Sequence, residues 1–191
     1  MPVFQKITST IASHTNADIL KQFLAQQNND NVRKTHFFED RYENIYLNEQ
    51  HIPQLKPLIR EALSLAEKIL DKQNLRAGYW FNYMPPGATT TLHTHDDDDE
   101  LLSAVYYIYV PENSGNLIIY DDSKSDNREK VEITPSTGDF IFFKPDIRHE
   151  VRKNNSTESS LSTGINFGQR KTKKNLNNPQ FSNYKFLIYI Y

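Results

Sequence analysis

Two amphipathic helices are predicted in the first third of the chain. Residues 17–27 place four apolar side chains on one helical face: Ile19, Leu20, Phe23 and Leu24. Residues 53–71 carry a longer apolar stripe that recurs every three or four positions, which predicts a second helix with one buried face. Pro53 and Pro57 are compatible with this helix only near its first turn. We therefore expect a helical segment over about residues 1–74.

From residue 75 onward the apolar pattern changes to that of β-strands. Short runs rich in aromatic and β-branched residues alternate with turns containing Asn, Asp, Gly, Pro and Ser. The predicted strands are 76–84, 89–95, 101–110, 116–120, 130–133, 139–143, 149–152, 161–167 and 184–191. Helices followed by strands indicate a single α+β domain over residues 1–191, with the helices packed on the outer face of a sheet. The β part, about residues 75–191, is expected to form a sandwich or small barrel.

Composition and charge exclude several classes of protein. With 22 Lys and Arg against 24 Asp and Glu, the formal net charge is -2, so a broadly basic surface for nucleic acid is not expected. The sequence has no cysteine, which excludes disulfides, zinc–thiolate sites, iron–sulfur clusters and cysteine nucleophiles. Its apolar runs are shorter than the about 20 residues of a membrane span, and no secretory signal is visible. We predict a cytoplasmic protein without nucleic-acid or membrane partners; its oligomeric state stays open between monomer and homodimer.

Three of the six histidines have a spacing that suits a metal site. His93 and His95 are two positions apart in a predicted strand, so both imidazoles point to the same face and can reach one cation. His149 opens a later strand that follows an apolar strand and a turn. Two imidazoles, with a third imidazole or a carboxylate, leave coordination positions open and suit Fe(II), Mn, Ni, Zn or Cu. We predict a mononuclear metal site at His93, His95 and His149.

Several stretches form an ordered series of motifs over about residues 80–168. They are 80–83, 93–95, 102–108, 110–117, 135–140, 143, 149–151 and 162–167. Together they resemble the prolyl-4-hydroxylase-like group of 2-oxoglutarate- and Fe(II)-dependent oxygenases, in its small bacterial and phage form. The resemblance implies a double-stranded β-helix, or jelly roll, with iron at its open end and the leading helices supporting its larger sheet. It also implies an enzyme that uses Fe(II), 2-oxoglutarate and O2 to hydroxylate a C–H bond.

The resemblance also assigns roles to individual residues. His93 would be the first iron ligand, His95 would occupy a position where many relatives have Asp, and His149 would be the distal ligand. The acidic run after His95 also reads as the pattern H-x-D, so Asp97 stays open as an alternative to His95. Tyr107 lies where the family often has a hydroxyl group that reaches the distal carboxylate of 2-oxoglutarate.

One family feature is missing from this sequence. Relatives place an Arg about ten residues after the distal histidine, whereas this chain has Ser160 at that position. A carboxylate in a partly dry pocket needs a cation, and a bidentate Arg is the natural partner. Arg148 and Arg152, the arginines nearest to His149 in sequence, are the candidates for that cation, with Arg76 and Arg170 as further ones.

Two other functions fit parts of the pattern. A cupin would bind its metal through His93, His95, Glu100 and His149, because the spacing from Gly87 to Glu100 matches the first cupin motif. A binding module without catalytic activity is the second alternative, and the missing Arg favours it. For an enzyme, a small molecule or a peptide is the expected substrate. The pocket is predicted to be lined by Tyr79, Trp80 and Tyr83.

Overall fold

Two antiparallel sheets and two helices form the described part of the chain. The structure, a computed structural model, describes residues 2–30, 32–95, 99–121 and 129–170. The helices are α1 (Ser13–Gln26) and α2 (Leu55–Leu70). The strands are β1 (Phe4–Thr8), β2 (Arg33–Phe38), β3 (Arg41–Tyr46), β4 (Leu75–Met84), β5 (Thr90–His93), β6 (Glu100–Tyr109), β7 (Leu117–Asp121), β8 (Glu129–Ile133), β9 (Asp139–Phe143), β10 (His149–Val151) and β11 (Ser160–Gln169).

The strand order is that of a jelly roll. The larger sheet has seven strands in the order β1-β9-β6-β11-β4-β3-β2, and the smaller has four in the order β5-β10-β7-β8. One apolar cluster lies between the larger sheet and the helices, and a second, smaller cluster involves β6, β7, β8 and β9. The predicted α+β double-stranded β-helix, with helices on the outer face of its larger sheet, is therefore confirmed.

Side-chain alternation along the strands decides which residues can reach the space between the sheets. On β4, Tyr79, Phe81 and Tyr83 belong to the helix-side core, whereas Trp80 and Asn82 line a cavity on the other face. Successive strand residues point to opposite faces, so these two sets cannot share one pocket. The prediction that Tyr79 and Tyr83 line the pocket is wrong, and Trp80 alone of the three does so.

The helices match their predicted apolar faces. The fully or almost fully buried residues of α2 are Leu55, Leu58, Ile59, Ala62 and Ala66. Helix α1 begins at Ser13, four residues before its predicted start, and buries Ile19 and Phe23. Asn16 lies inside this helix and accepts a hydrogen bond of 2.9 Å from the buried Tyr106 hydroxyl on β6. This bond joins α1 to the larger sheet in addition to the apolar contacts.

The first 74 residues are less helical than predicted, because they also contain three strands of the larger sheet. Strand β1 pairs with β9, and the β2–β3 hairpin extends the sheet beyond β4. The hairpin turns at Glu39 and Asp40, which both adopt positive φ. Turns of this kind are normally recognised by Asn-Gly or Asp-Gly, so the sequence carries no usual hairpin signal here.

Two sequence-based expectations concern other parts of the molecule. The predicted last strand, 184–191, lies outside the described residues. Neither described helix is long and apolar enough to cross a membrane.

Phe23→Ala is expected to lower the free energy of unfolding by about 3–5 kcal/mol, because it leaves a cavity under a fully buried side chain. Leu24→Ala, at the adjacent half-exposed position, should cost at most about 1 kcal/mol. Urea unfolding followed by circular dichroism measures both values. Equal losses in the two variants would contradict the packing of α1 on the sheet.

Candidate metal centre

The centre begins with a pair of histidines on neighbouring strands. Strands β5 and β10 are antiparallel, and their register places His93 directly opposite His149. The two ring centroids are 4.2 Å apart. The register shifts between this pair and the next one, Thr90 and Val151, which marks a β-bulge or similar irregularity beside the site. Such irregularities re-aim side chains at the ends of strands.

His95 joins the pair from the segment that follows β5. Its backbone N–H donates a hydrogen bond of 2.7 Å to the carbonyl oxygen of Pro145, just before β10. Its ring centroid lies 4.8 Å from that of His93 and 4.9 Å from that of His149. One ligand nitrogen from each of the three imidazoles can be chosen so that all lie within 4.8 Å of one another. A single cation placed among these nitrogens is therefore within reach of all three.

Backbone carbonyl groups fix the orientation of two of the rings. The Nδ1 atom of His93 is 2.7 Å from the carbonyl oxygen of Thr91, and that of His149 is 3.0 Å from the carbonyl oxygen of Ile147. A carbonyl oxygen only accepts hydrogen bonds, so Nδ1 carries the proton in both rings. The lone pair is then on Nε2, which leaves that atom able to bind a metal while Nδ1 stays hydrogen-bonded.

Burial keeps His95 and His149 neutral. It lowers the pKa of His95 to about 2, with smaller contributions from His149 and His93. Burial likewise lowers the pKa of His149 to about 3, and the proximity of His93 adds to the effect. Metal ions bind the neutral imidazole, so these side chains need to lose no proton at neutral pH before they can bind one.

Aromatic side chains surround the three imidazoles. Trp80 lies 5.3 Å from His95, and Phe143 lies 4.6 Å from His149, measured between ring centroids. The indole of Trp80 also covers Gly164 on β11, where a Cβ atom would be only 2.5 Å from the indole Cζ2. Glycine at this position therefore gives Trp80 the space to stand beside the histidines.

Two openings meet at the histidines. A cavity inside the β-helix is lined by all three and extends to Tyr107 on β6 and to Ser160 and Ser162 on β11. A larger groove of about 440 Å³ reaches from His93 and His95 to the β2–β3 hairpin. The side chains that border both spaces are Trp80, Asn82, Thr90, His93 and His95. His93 and His95 therefore border both the interior of the roll and the outer groove.

The structure places the predicted co-substrate residues in different environments. Tyr107 lines the cavity, and its buried hydroxyl group has no hydrogen-bond partner among the described residues. Arg148 lies over the ring of Tyr120, 5.4 Å from its centroid, and Arg152 is half-exposed, 3.9 Å from Glu150. Neither arginine lines the cavity.

Other predicted ligands lie away from the cluster or outside the described residues. Asp97, the alternative to His95, belongs to the segment 96–98, which is not described. Glu100, the fourth ligand of the cupin alternative, instead pairs with Arg76 at 3.4 Å. Among the described residues, the group able to bind a metal consists of the three histidines without a carboxylate. This geometry gives no support to a four-ligand cupin site.

Sequence reasoning missed two features of the site. Glu150, the neighbour of His149 in sequence, accepts a hydrogen bond from Tyr120. The orienting groups are backbone carbonyls, which a sequence does not reveal. The hairpin residues of the groove were also missed, because β2 and β3 were not recognised as strands.

The fold and the site together define a class, a jelly roll with a three-histidine cluster at the mouth of its internal cavity. Residues 78–166 match the model of the family described as "Putative 2OG-Fe(II) oxygenase". The resemblance seen in the sequence is thereby confirmed over this segment, which is a little under half of the chain. The cofactors of that family are Fe(II), 2-oxoglutarate and O2. No curated protein matches the chain.

Solved structures of low sequence identity share the fold. A Pseudomonas putida prolyl-4-hydroxylase is 17% identical with a TM-score of 0.61, covering 88% of this chain and 94% of its own. A Trichoplax adhaerens prolyl hydroxylase, in complex with a hypoxia-inducible-factor peptide fragment, is 17% identical with a TM-score of 0.68. The match covers 92% of this chain and 87% of the hydroxylase. The epimerase SnoN, in complex with Fe3+, alpha ketoglutarate and nogalamycin RO, is 14% identical with a TM-score of 0.67. The match covers 96% of this chain and 88% of the epimerase.

The metal-free protein is expected to lose stability as the pH falls from 7.5 to 5.5. Native His95 and His149 exclude protons because their pKa values are lowered, whereas in the unfolded chain they bind protons near the ordinary value of 6.5. The unfolded state is therefore favoured below that pH, by about 1.4 kcal/mol for each histidine over this interval. Urea unfolding in a chelator at both pH values measures the loss. The double variant His95→Gln/His149→Gln should lack this component, and an equal pH dependence in both proteins would contradict the buried neutral state.

Proposed function

We propose that this protein is an Fe(II)- and 2-oxoglutarate-dependent oxygenase in which His93, His95 and His149 hold the metal. The observation that carries the proposal is the convergence of three imidazoles at the junction of an internal cavity and an outer groove. Neutral imidazole is a good ligand for Fe(II), and three ligands leave positions open for other molecules. The donor set therefore fits the metal that the family uses.

The chain's own residues provide orientation and a dry environment. The carbonyl groups of Thr91 and Ile147 hold the Nδ1 protons of two ligands and turn their Nε2 atoms toward the cation. Trp80 and Phe143 cover the imidazoles and exclude water from one side. When bound, the iron and 2-oxoglutarate together supply the oxidising chemistry, in which O2 yields succinate, CO2 and a hydroxylated C–H bond.

The outer groove is the proposed substrate site. The residues from β2 and β3 that line it are Arg33, Thr35, His36, Glu43, Asn44 and Tyr46. On the side of the histidines, β5 contributes Thr91 and β11 contributes Asn166. This lining is polar and carries both signs of charge, which suits a small molecule or peptide with hydrogen-bonding groups on both sides of the reacting carbon. Its volume lies in the range of ligand sites, about 300–1,000 Å³. Two proteins of the same fold were captured with such ligands, a peptide fragment in one and nogalamycin RO in the other.

His149→Ala is expected to abolish metal binding and 2-oxoglutarate turnover together, because it removes one of the three proposed ligands. Metal binding is followed by the fluorescence of Trp80, the only tryptophan in the sequence, as Fe(II) or Mn(II) is added without oxygen. Turnover is followed by CO2 released from 1-labelled 2-oxoglutarate.

His14→Ala is the matched control, since His14 is exposed on α1 and should leave both signals unchanged. Undiminished metal binding in His149→Ala would contradict the proposed ligand set. Metal binding by the unmodified protein without any decarboxylation would instead favour the binding-module alternative.

A further inference from the structure

Three residues with hydroxyl groups lie side by side on one wall of the internal cavity. Tyr107 on β6 pairs in register with Ser162 on β11, and Ser160 lies two positions away, so it points to the same face of that strand. Leu161 also touches the cavity, but Thr163 and Ile165 are fully buried in the larger sheet. Ser160 thus occupies a cavity-facing position, the one at which the family resemblance led us to expect an arginine.

The Tyr107 hydroxyl has the properties expected of a group that binds a ligand. It is completely enclosed and has no hydrogen-bond partner among the described residues. Burial raises the pKa of Tyr107, and the charge of Asp139 adds to the effect, so the group is a neutral donor. A buried hydroxyl without a partner is destabilising unless a ligand or water completes its hydrogen bonds.

Besides the three histidines, the residues that line the cavity are apolar or uncharged polar ones. Its apolar part includes Met84, Val105, Leu117, Phe143 and Val151. The described residues that line it include no lysine and no arginine. Arg41 donates hydrogen bonds to two lining residues, at 3.3 Å to Asn82 and 3.2 Å to Thr90, but it pairs with Glu43 and is not itself part of the wall.

The charges around the cavity favour an anionic group at the end of an oxo-acid that lies next to the cation, but not at its far end. Three neutral imidazoles leave both positive charges of a divalent cation uncompensated by the described residues, so an anionic group next to the cation is strongly favoured. At the far end, a carboxylate would leave water for neutral hydroxyl groups, and burial of a charge without a counter-charge is unfavourable. The far end therefore gains little from carrying a charge.

We propose that Tyr107, Ser160 and Ser162 form a neutral subsite for the far end of the oxo-acid, so that the protein discriminates only weakly between 2-oxoglutarate and 2-oxo acids without a second carboxylate. The inference rests on the proposed function, since it requires a cation at the histidines. It concerns the selectivity of the cavity, which the resemblance to the family does not supply, because the family resemblance places an arginine there.

Calorimetric titration of the Mn(II)-loaded protein without oxygen tests the proposal. The ligands are 2-oxoglutarate and 2-oxopentanoate, which has the same carbon chain without the far carboxylate. Hydrogen bonds to neutral groups predict a preference for 2-oxoglutarate of at most about 10-fold, whereas a paired charge would give about 100-fold or more. A preference of the larger size would overturn the proposal.

Two variants locate the subsite. Ser160→Arg should raise the preference for 2-oxoglutarate at least about 10-fold, because it introduces the missing counter-charge. Ser159→Arg adds the same charge at the adjacent residue, which does not line the cavity, and should leave the preference unchanged. Tyr107→Phe should weaken the binding of 2-oxoglutarate more than the binding of 2-oxopentanoate. Ser160→Lys replaces Ser160→Arg if the arginine variant does not fold. Equal preferences in Ser160→Arg and Ser159→Arg would overturn the proposal.

The same titrations separate this inference from the proposed function. If Mn(II) binds and 2-oxoglutarate is strongly preferred, the proposed function stands and the neutral subsite is wrong. If Mn(II) does not bind, or if neither oxo-acid binds to the loaded protein, the proposed function itself is wrong.

Discussion

The pairing of β5 with β10 is the constraint on which the rest of the site depends. Its register sets His93 opposite His149, and both side chains face the inside of the roll. A slip of one residue in either strand would turn its histidine to the opposite face of the sheet. His149 is also held on its other side by Ile119 of β7, so it sits in the middle of the smaller sheet rather than at its edge. The position of two ligands is thus fixed by backbone hydrogen bonds, before any metal binds.

Burial and charge follow from that position. His95 and His149 are shielded from water, which lowers the pKa of both imidazoles and keeps them neutral. In the proposed site, neutral ligands contribute no negative charge to the cation, and the described residues of the cavity wall include hydroxyl groups but no arginine. The proposed metal, rather than the protein, then provides most of the attraction for an anionic ligand. This distribution of charge distinguishes the site from one that holds its co-substrate at both ends by charged groups.

Much of the fold followed from periodicity, and the reason lies in burial. Helix α2 and the long strands β4, β6 and β11 have apolar patterns that match their buried faces, so their predicted limits differ from the observed ones by only a few residues. The β2–β3 hairpin was missed because both strands are polar and partly exposed, and because its turn uses Glu39 and Asp40. The pattern of i and i+2 histidines indicated a shared face, but their meeting with His149 depends on a strand pairing between distant segments, which no local pattern encodes.

The account's central claim is that three imidazoles from two segments of the chain share one cation. X-ray absorption spectroscopy of the Fe(II)-loaded protein, prepared without oxygen, measures this directly, because imidazole rings give a characteristic multiple-scattering signal. The account predicts scattering from three imidazole rings around each iron, with the remaining positions occupied by lighter oxygen or nitrogen donors. A spectrum that requires only one ring, or none, would contradict the shared site.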